Sequence, residues 1–155
     1  MRILTAGALL LATIGCFSSA NASQTPAAAL SQFDYLTGTF KCTVTTGAPY
    51  VEVFSRPIGG GWLRATDMQN GKAVADHTLG YDPRTDAWYA FSANNDGSAN
   101  LMKSSGSAVT TMHTVYPAGA NVTLRFVKHS ANSYTLQFGG TMDGKPVREA
   151  DNCSR

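Results

Sequence analysis

Charge is scarce in this chain. Only 14% of its 155 residues are Asp, Glu, Lys or Arg, against about 25% in a typical soluble domain. Lysine and arginine never gather into a run, and the formal net charge is +2. Binding to nucleic acid needs a clustered basic face to neutralise phosphates, so that class is excluded. The short motifs of metal chemistry are missing too: no HxH, HExxH or CxxC occurs. There is no GxSxG, and no serine stands in a recognisable triad pattern. The acids Glu52, Asp67, Asp76, Asp82 and Asp86 are scattered, and the last two flank a turn, where capping explains them. Gly59-Gly60-Gly61 lacks the lysine and the following helix of a phosphate loop. Asn94-Asn95-Asp96-Gly97 lacks the spacing of a calcium loop and reads as a hairpin turn.

Cysteine is nearly absent as well, with three in the chain. The first of them belongs to a segment with its own logic. Arg2 precedes an uncharged apolar run over residues 3–17, and Ala20-Asn21-Ala22 has the small-x-small form cut by signal peptidase. The expectation is a secretory signal over residues 1–22, then a flexible leader over 23–29 and a single domain over 30–155. The apolar run is about 15 residues, short of the roughly 20 that span a bilayer, so no membrane span is expected. Thr13-Ile14-Gly15-Cys16 partly matches a lipoprotein box, which leaves open a lipid anchor at Cys16. Either route places the protein outside the cytoplasm, periplasmic or secreted. There the remaining cysteines, Cys42 and Cys153, are most simply paired.

Beyond residue 39 the texture is that of a β protein. Stretches rich in Val, Thr, Tyr, Phe and Trp alternate with Gly, Asn, Asp and Pro clusters every 8 to 12 residues or so. They predict ten strands, at 39–45, 50–56, 62–69, 73–81, 87–93, 99–104, 108–115, 121–129, 133–141 and 145–151. All connections are short, so neighbouring strands run antiparallel in a meander. Cys42 lies in the first strand and Cys153 just after the last. A bridge between them makes those strands neighbours, the condition for an up-and-down barrel; a two-sheet sandwich is the alternative. Leu30, Phe33 and Leu36 lie at helical spacing, which predicts one short N-terminal helix. Alternation sends Phe40, Cys42 and Val44, then Val122, Leu124 and Phe126, then Tyr134, Leu136 and Phe138 inward.

The segment Phe33-Asp34-Tyr35-Leu36-Thr37-Gly38-Thr39-Phe40-Lys41-Cys42 resembles the opening of small calycin-like barrels. Gly59-Gly60-Gly61-Trp62-Leu63, Gly80-Tyr81-Asp82-Pro83 and the closing Asn152-Cys153-Ser154-Arg155 extend the likeness in order along the chain. Together they resemble a group of exported bacterial barrels, similar in turn to the nitrobindin and lipocalin-like proteins. The resemblance implies a calycin-like, all-β antiparallel barrel of about ten strands and leaves haem open as a cofactor. None of His77, His113 and His129 sits in a recognisable version of the nitrobindin ligand segment.

A ten-stranded barrel has room for a guest, and large aromatics with a few polar tips suit an apolar one. The expected function is therefore binding of a small, mostly apolar molecule in the barrel interior. The residues expected to line the pocket are Trp62, Arg64, His77, Tyr81, Trp88, His113 and Phe126, with Arg64 available to pair with a ligand carboxylate. No catalytic residue is singled out. The alternatives are a cofactor-free isomerase or cyclase using the same cavity, a structural or interaction protein with a filled core, and a haem-binding barrel. An enzyme would need an inward acid or histidine with a shifted pKa.

Overall fold

The computed structural model describes residues 24–106 and 111–155. The expected signal segment, Cys16 and the first residues of the seventh predicted strand lie outside these. A helix α1 (Pro26–Leu30) runs into a 3₁₀ turn (Ser31–Leu36). Ten strands follow: β1 (Gly38–Val44), β2 (Tyr50–Ile58), β3 (Trp62–Gln69), β4 (Lys72–Asp82), β5 (Ala87–Asn94), β6 (Ala99–Ser105), β7 (Thr111–Tyr116), β8 (Asn121–Lys128), β9 (Ser133–Met142) and β10 (Lys145–Ser154). Each is antiparallel to its sequence neighbour, and β10 returns to pair with β1, so the meander closes into a barrel. Closure leaves no unpaired strand edge to recruit other chains. This is the all-β architecture that the turn spacing predicts, and it is consistent with the calycin-like resemblance.

The seam is fixed by the cysteines. Cys42 and Cys153 stand directly opposite each other in the β1–β10 register and form a disulfide, both side chains buried inside. They join positions 111 residues apart. Arg155, just beyond the seam, stacks its guanidinium 4.6 Å from the Phe40 ring centre and donates to the carbonyls of Tyr35 and Thr37. Those bonds tie the end of the chain to the 3₁₀ turn.

The N-terminal helix starts earlier than its hydrophobic spacing predicts, inside the expected leader. Thr25 caps it, accepting from the Ala28 amide at 3.3 Å, and Pro26 at the first position presets the backbone. Three alanines follow. Small residues carry no hydrophobic stripe, which is why this turn is invisible to periodicity. Leu30, Phe33 and Leu36 are all buried, as their spacing predicts. They plug one end of the barrel, with the Phe33 ring edge-on to Trp88 at 5.4 Å and to Phe126 at 5.3 Å.

Candidate functional site

Strand parity decides what the interior contains. On β2 the apolar Val51 and Val53 flank Glu52, yet the partners of Glu52 on its own face are Tyr50 and Phe54. Phe54 packs against Phe40, 6.0 Å between ring centres, so this face points inward and takes Glu52 with it. On β10 the inward Cys153 fixes Asp151, two residues earlier, on the same face. On β3 the inward set is Leu63, Ala65 and Asp67, and on β4 it is His77, Leu79 and Tyr81.

These faces enclose a cavity of about 180 Å³. Its apolar wall comes from Phe54, Leu63, Ala65, Leu79, Ala90, Met102, Leu124, Phe126, Leu136 and Phe138. Its polar wall comes from Tyr50, Glu52, Asp67, His77, Ser92, Asn100 and Asp151. A second hollow of about 200 Å³ shares Asn100, Met102, Phe138 and Asp151 with the first and continues it past Thr114, Pro117 and Val147.

The polar wall is hydrogen-bonded in two groups. His77 stands between Asp67 and Ser92: Nε2 lies 2.9 Å from Asp67 Oδ2, and Nδ1 lies 2.7 Å from Ser92 Oγ. Three adjacent strands, β3, β4 and β5, thus carry an acid, an imidazole and a hydroxyl in a line. Burial pushes the His77 pKa down, but the hydrogen bond it donates to Asp67 and the charges of Asp67 and Asp76 outweigh it, and the net shift is upward. The second comprises two separate pairs, Glu52 with Tyr134 and Tyr50 with Asp151. The Tyr134 hydroxyl donates to Glu52 Oε2, and Tyr50 donates to Asp151 Oδ2 at 2.9 Å.

Glu52 is 4% exposed and Asp151 6%. Burial, reinforced by the charge of Asp67, pushes the Glu52 carboxyl up to about 8, so it is protonated at neutral pH. Burial pushes Asp151 up to about 6, with the charges of Glu149 and Asp67 adding to it and the Tyr50 bond opposing it. Two buried oxygens on this wall, Asp67 Oδ1 and Asp151 Oδ1, have no hydrogen-bond partner. Unpaired buried acceptors of this kind are costly and uncommon.

Of the seven residues expected from sequence to line the pocket, the structure brings His77 and Phe126 to the cavity. Trp88 and Tyr81 are inside the barrel but belong to the plugged end. Their rings are 5.5 Å apart, Trp88 lies under Phe33, and Tyr81 donates to Asp86 at 2.6 Å. Trp62, Arg64 and His113 correct the expectation, because they sit on the outer face. Trp62 lies across Gly80 of the neighbouring strand, where a Cβ would come within 2.3 Å of its ring. Arg64 makes a forked pair with Asp76, Nε–Oδ1 3.1 Å and Nη2–Oδ2 2.6 Å, and is not available to an internal carboxylate. His113 is exposed.

Haem does not fit this donor set. Both ring nitrogens of His77 are engaged, His113 points away, and His129 bonds Thr135 at 2.8 Å. The cavity of about 180 Å³ and the hollow of about 200 Å³ that continues it compare with the roughly 150 Å³ that holds a benzene molecule, and a porphyrin is several times larger than benzene. A metal ion has no better claim. Among the described residues, the group of three or more ligating atoms within 4.8 Å of one another is Cys42, Glu52 and Cys153, and its two sulfurs are consumed by the disulfide. No helix among the described residues is long and apolar enough to cross a membrane.

Sequence reasoning missed Glu52, Asp67, Ser92, Asn100 and Asp151. The signal for two of them was present: Asp151 shares the parity of Cys153, and Glu52 that of Tyr50 and Phe54. Set against known proteins, the chain matches no family model, and no curated protein matches it.

Proposed function

We propose that the protein binds a small, mostly apolar molecule in the interior of its barrel, outside the cytoplasm, and that it is a relative of the exported calycin-like barrels its motifs resemble. One observation carries this reading. The closed barrel is not filled by its own side chains but keeps a cavity of about 180 Å³ lined mostly by apolar side chains together with a smaller set of polar ones. Binding sites have this form, apolar surface for affinity and a few placed polar groups for orientation. A core built only for stability closes such space, since interiors pack to crystal-like density. The buried disulfide supports the proposed location, because such bridges persist in oxidising compartments.

Native mass spectrometry of the chain isolated under non-denaturing conditions from its own cells tests this. The expected spectrum shows a small molecule that leaves on collisional activation, and Ala90→Phe, which fills the cavity, loses it while keeping the β-sheet circular dichroism. A bare mass that no small apolar probe can shift contradicts the reading.

A second reading, an enzyme working in the same cavity, is favoured by the Asp67–His77–Ser92 line and by a protonated Glu52. These are the positioned proton-transfer groups that an isomerase or cyclase requires. The hydroxyl against the imidazole also has the elements of an activated nucleophile. Covalent labelling of Ser92 by a fluorophosphonate, read by intact mass and absent in His77→Ala, would favour an acyl-transfer enzyme over a carrier.

A further inference from the structure

The polar wall of the cavity is acidic on balance. Glu52, Asp67 and Asp151 contribute carboxyl groups, His77 is the one basic side chain among the described lining residues, and no lysine or arginine is among them. His77 already gives its Nε2 to Asp67 Oδ2. What remains unmatched is acceptor capacity. Asp151 is 94% buried, lines the cavity, and has one oxygen satisfied by Tyr50 and the other by nothing. Asp67 is less deeply buried, its side chain 15% exposed, and has Oδ2 on His77 and Oδ1 unpaired. Buried carboxylate oxygens left without donors mark the place where a donor belongs.

The size and charge of that donor follow from the same wall. The carboxylates do not converge tightly enough for a bare metal ion, as no three of their ligating atoms come within 4.8 Å of one another among the described residues. A carboxylate or phosphate guest would face two further carboxyls, Asp67 and Asp151, beside a Glu52 that is neutral at pH 7. A tetrahedral –NH₃⁺ group carries three donors and is held by one or two charge-assisted acceptors, where a bare metal needs a closed shell of them. The rest of the lining offers Phe138, Met102, Leu124 and Leu79, apolar surface for a body about the size of one aromatic ring, judged by the benzene-sized cavity of similar volume.

We infer that the molecule held in the barrel is a primary amine with a compact apolar body, its ammonium group seated against Asp151 and Asp67 and its body against Phe138, Met102 and Leu79. This rests on the binding reading above and sharpens it to a ligand class.

The test uses three probes of nearly equal size and different heads, 2-phenylethylamine, 2-phenylethanol and 3-phenylpropionate, titrated calorimetrically into the full disulfide-bonded protein at pH 7. The expected order is amine, then alcohol, then acid, with the amine at least tenfold tighter than the alcohol. In Asp151→Asn, which keeps an acceptor for Tyr50, the amine-to-alcohol ratio falls to within threefold. Alcohol or acid binding as tightly as the amine in the wild type overturns the inference about the head and leaves the binding reading standing. An unchanged ratio in a folded Asp151→Asn removes Asp151 from the site and overturns it as well. If none of the three binds, the interior is not a site for molecules of this size and both claims fall.

Discussion

Replacing Glu52 by glutamine isolates the electrostatics of the interior. In the folded chain the Glu52 carboxyl titrates at about 8, raised from 4.5 chiefly by burial. Between those values the folded state holds a proton that the unfolded state has released, so stability falls as pH rises. The slope is about 1.4 kcal/mol per pH unit for one proton, and from pH 5 to pH 7 Glu52 alone removes roughly 2.7 kcal/mol. Asp151, raised to about 6, and His77, also raised, act in the same direction within part of the window. Glutamine is isosteric, accepts the Tyr134 hydroxyl as Glu52 does, and has no proton to lose. Glu52→Gln therefore removes about one proton's worth of slope between pH 6 and 7.5, leaving only the shares of His77 and of the end of the Asp151 titration, and leaves the variant more stable than the wild type above pH 7. Urea unfolding followed by tryptophan fluorescence across pH 5 to 9 measures both curves. A wild-type free energy that is level or rising from pH 6 to 7.5 refutes the account of Glu52 as a buried neutral acid, and so does an undiminished slope in the variant.

Three further perturbations probe the frame around the cavity. Changing Cys42 and Cys153 together to alanine frees a loop closed over 111 residues. It should cost about 4–5 kcal/mol on chain-entropy grounds, read as a fall in the urea midpoint. Phe33→Ala removes a ring packed between Trp88 and Phe126 and should cost about 3–5 kcal/mol while unplugging one end, seen as increased quenching of Trp88 by acrylamide. Gly80→Ala drives a Cβ into the Trp62 ring and should cost about 1–3 kcal/mol; adding Trp62→Ala relieves the clash, so the double variant loses less than the sum of the singles in thermal melts.

Turn chemistry and alternation make the frame legible in the sequence itself. The strand at Asn121–Lys128 alternates polar and apolar residues from Asn121 to Phe126, so its inward face could be read directly. The same is true of the strand at Ser133–Met142 up to its glycines. The seam was legible because a bridge between the first and last strands admits few closures. The polar side of the cavity was not, because an inward carboxylate looks like a surface one when its outward neighbours are valines, as at Glu52. Aromatic size also misled: Trp62 suggested an inward face on its strand, but the smaller Leu63 and Ala65 are the buried residues and Trp62 covers Gly80 from outside. Distances across strands decided the rest. Asp67, His77 and Ser92 are unremarkable at their separations in the chain and become a hydrogen-bonded line only once three strands are in register.

The occupied interior is the claim on which the functional account stands, and a crystal structure of the disulfide-bonded protein grown with 2-phenylethylamine addresses it directly. The account predicts continuous density inside the barrel, with the ring against Phe138 and Met102 and the nitrogen within hydrogen-bond distance of Asp151. Density confined to the outer surface, or an interior closed by the protein's own side chains at saturating amine, would contradict it.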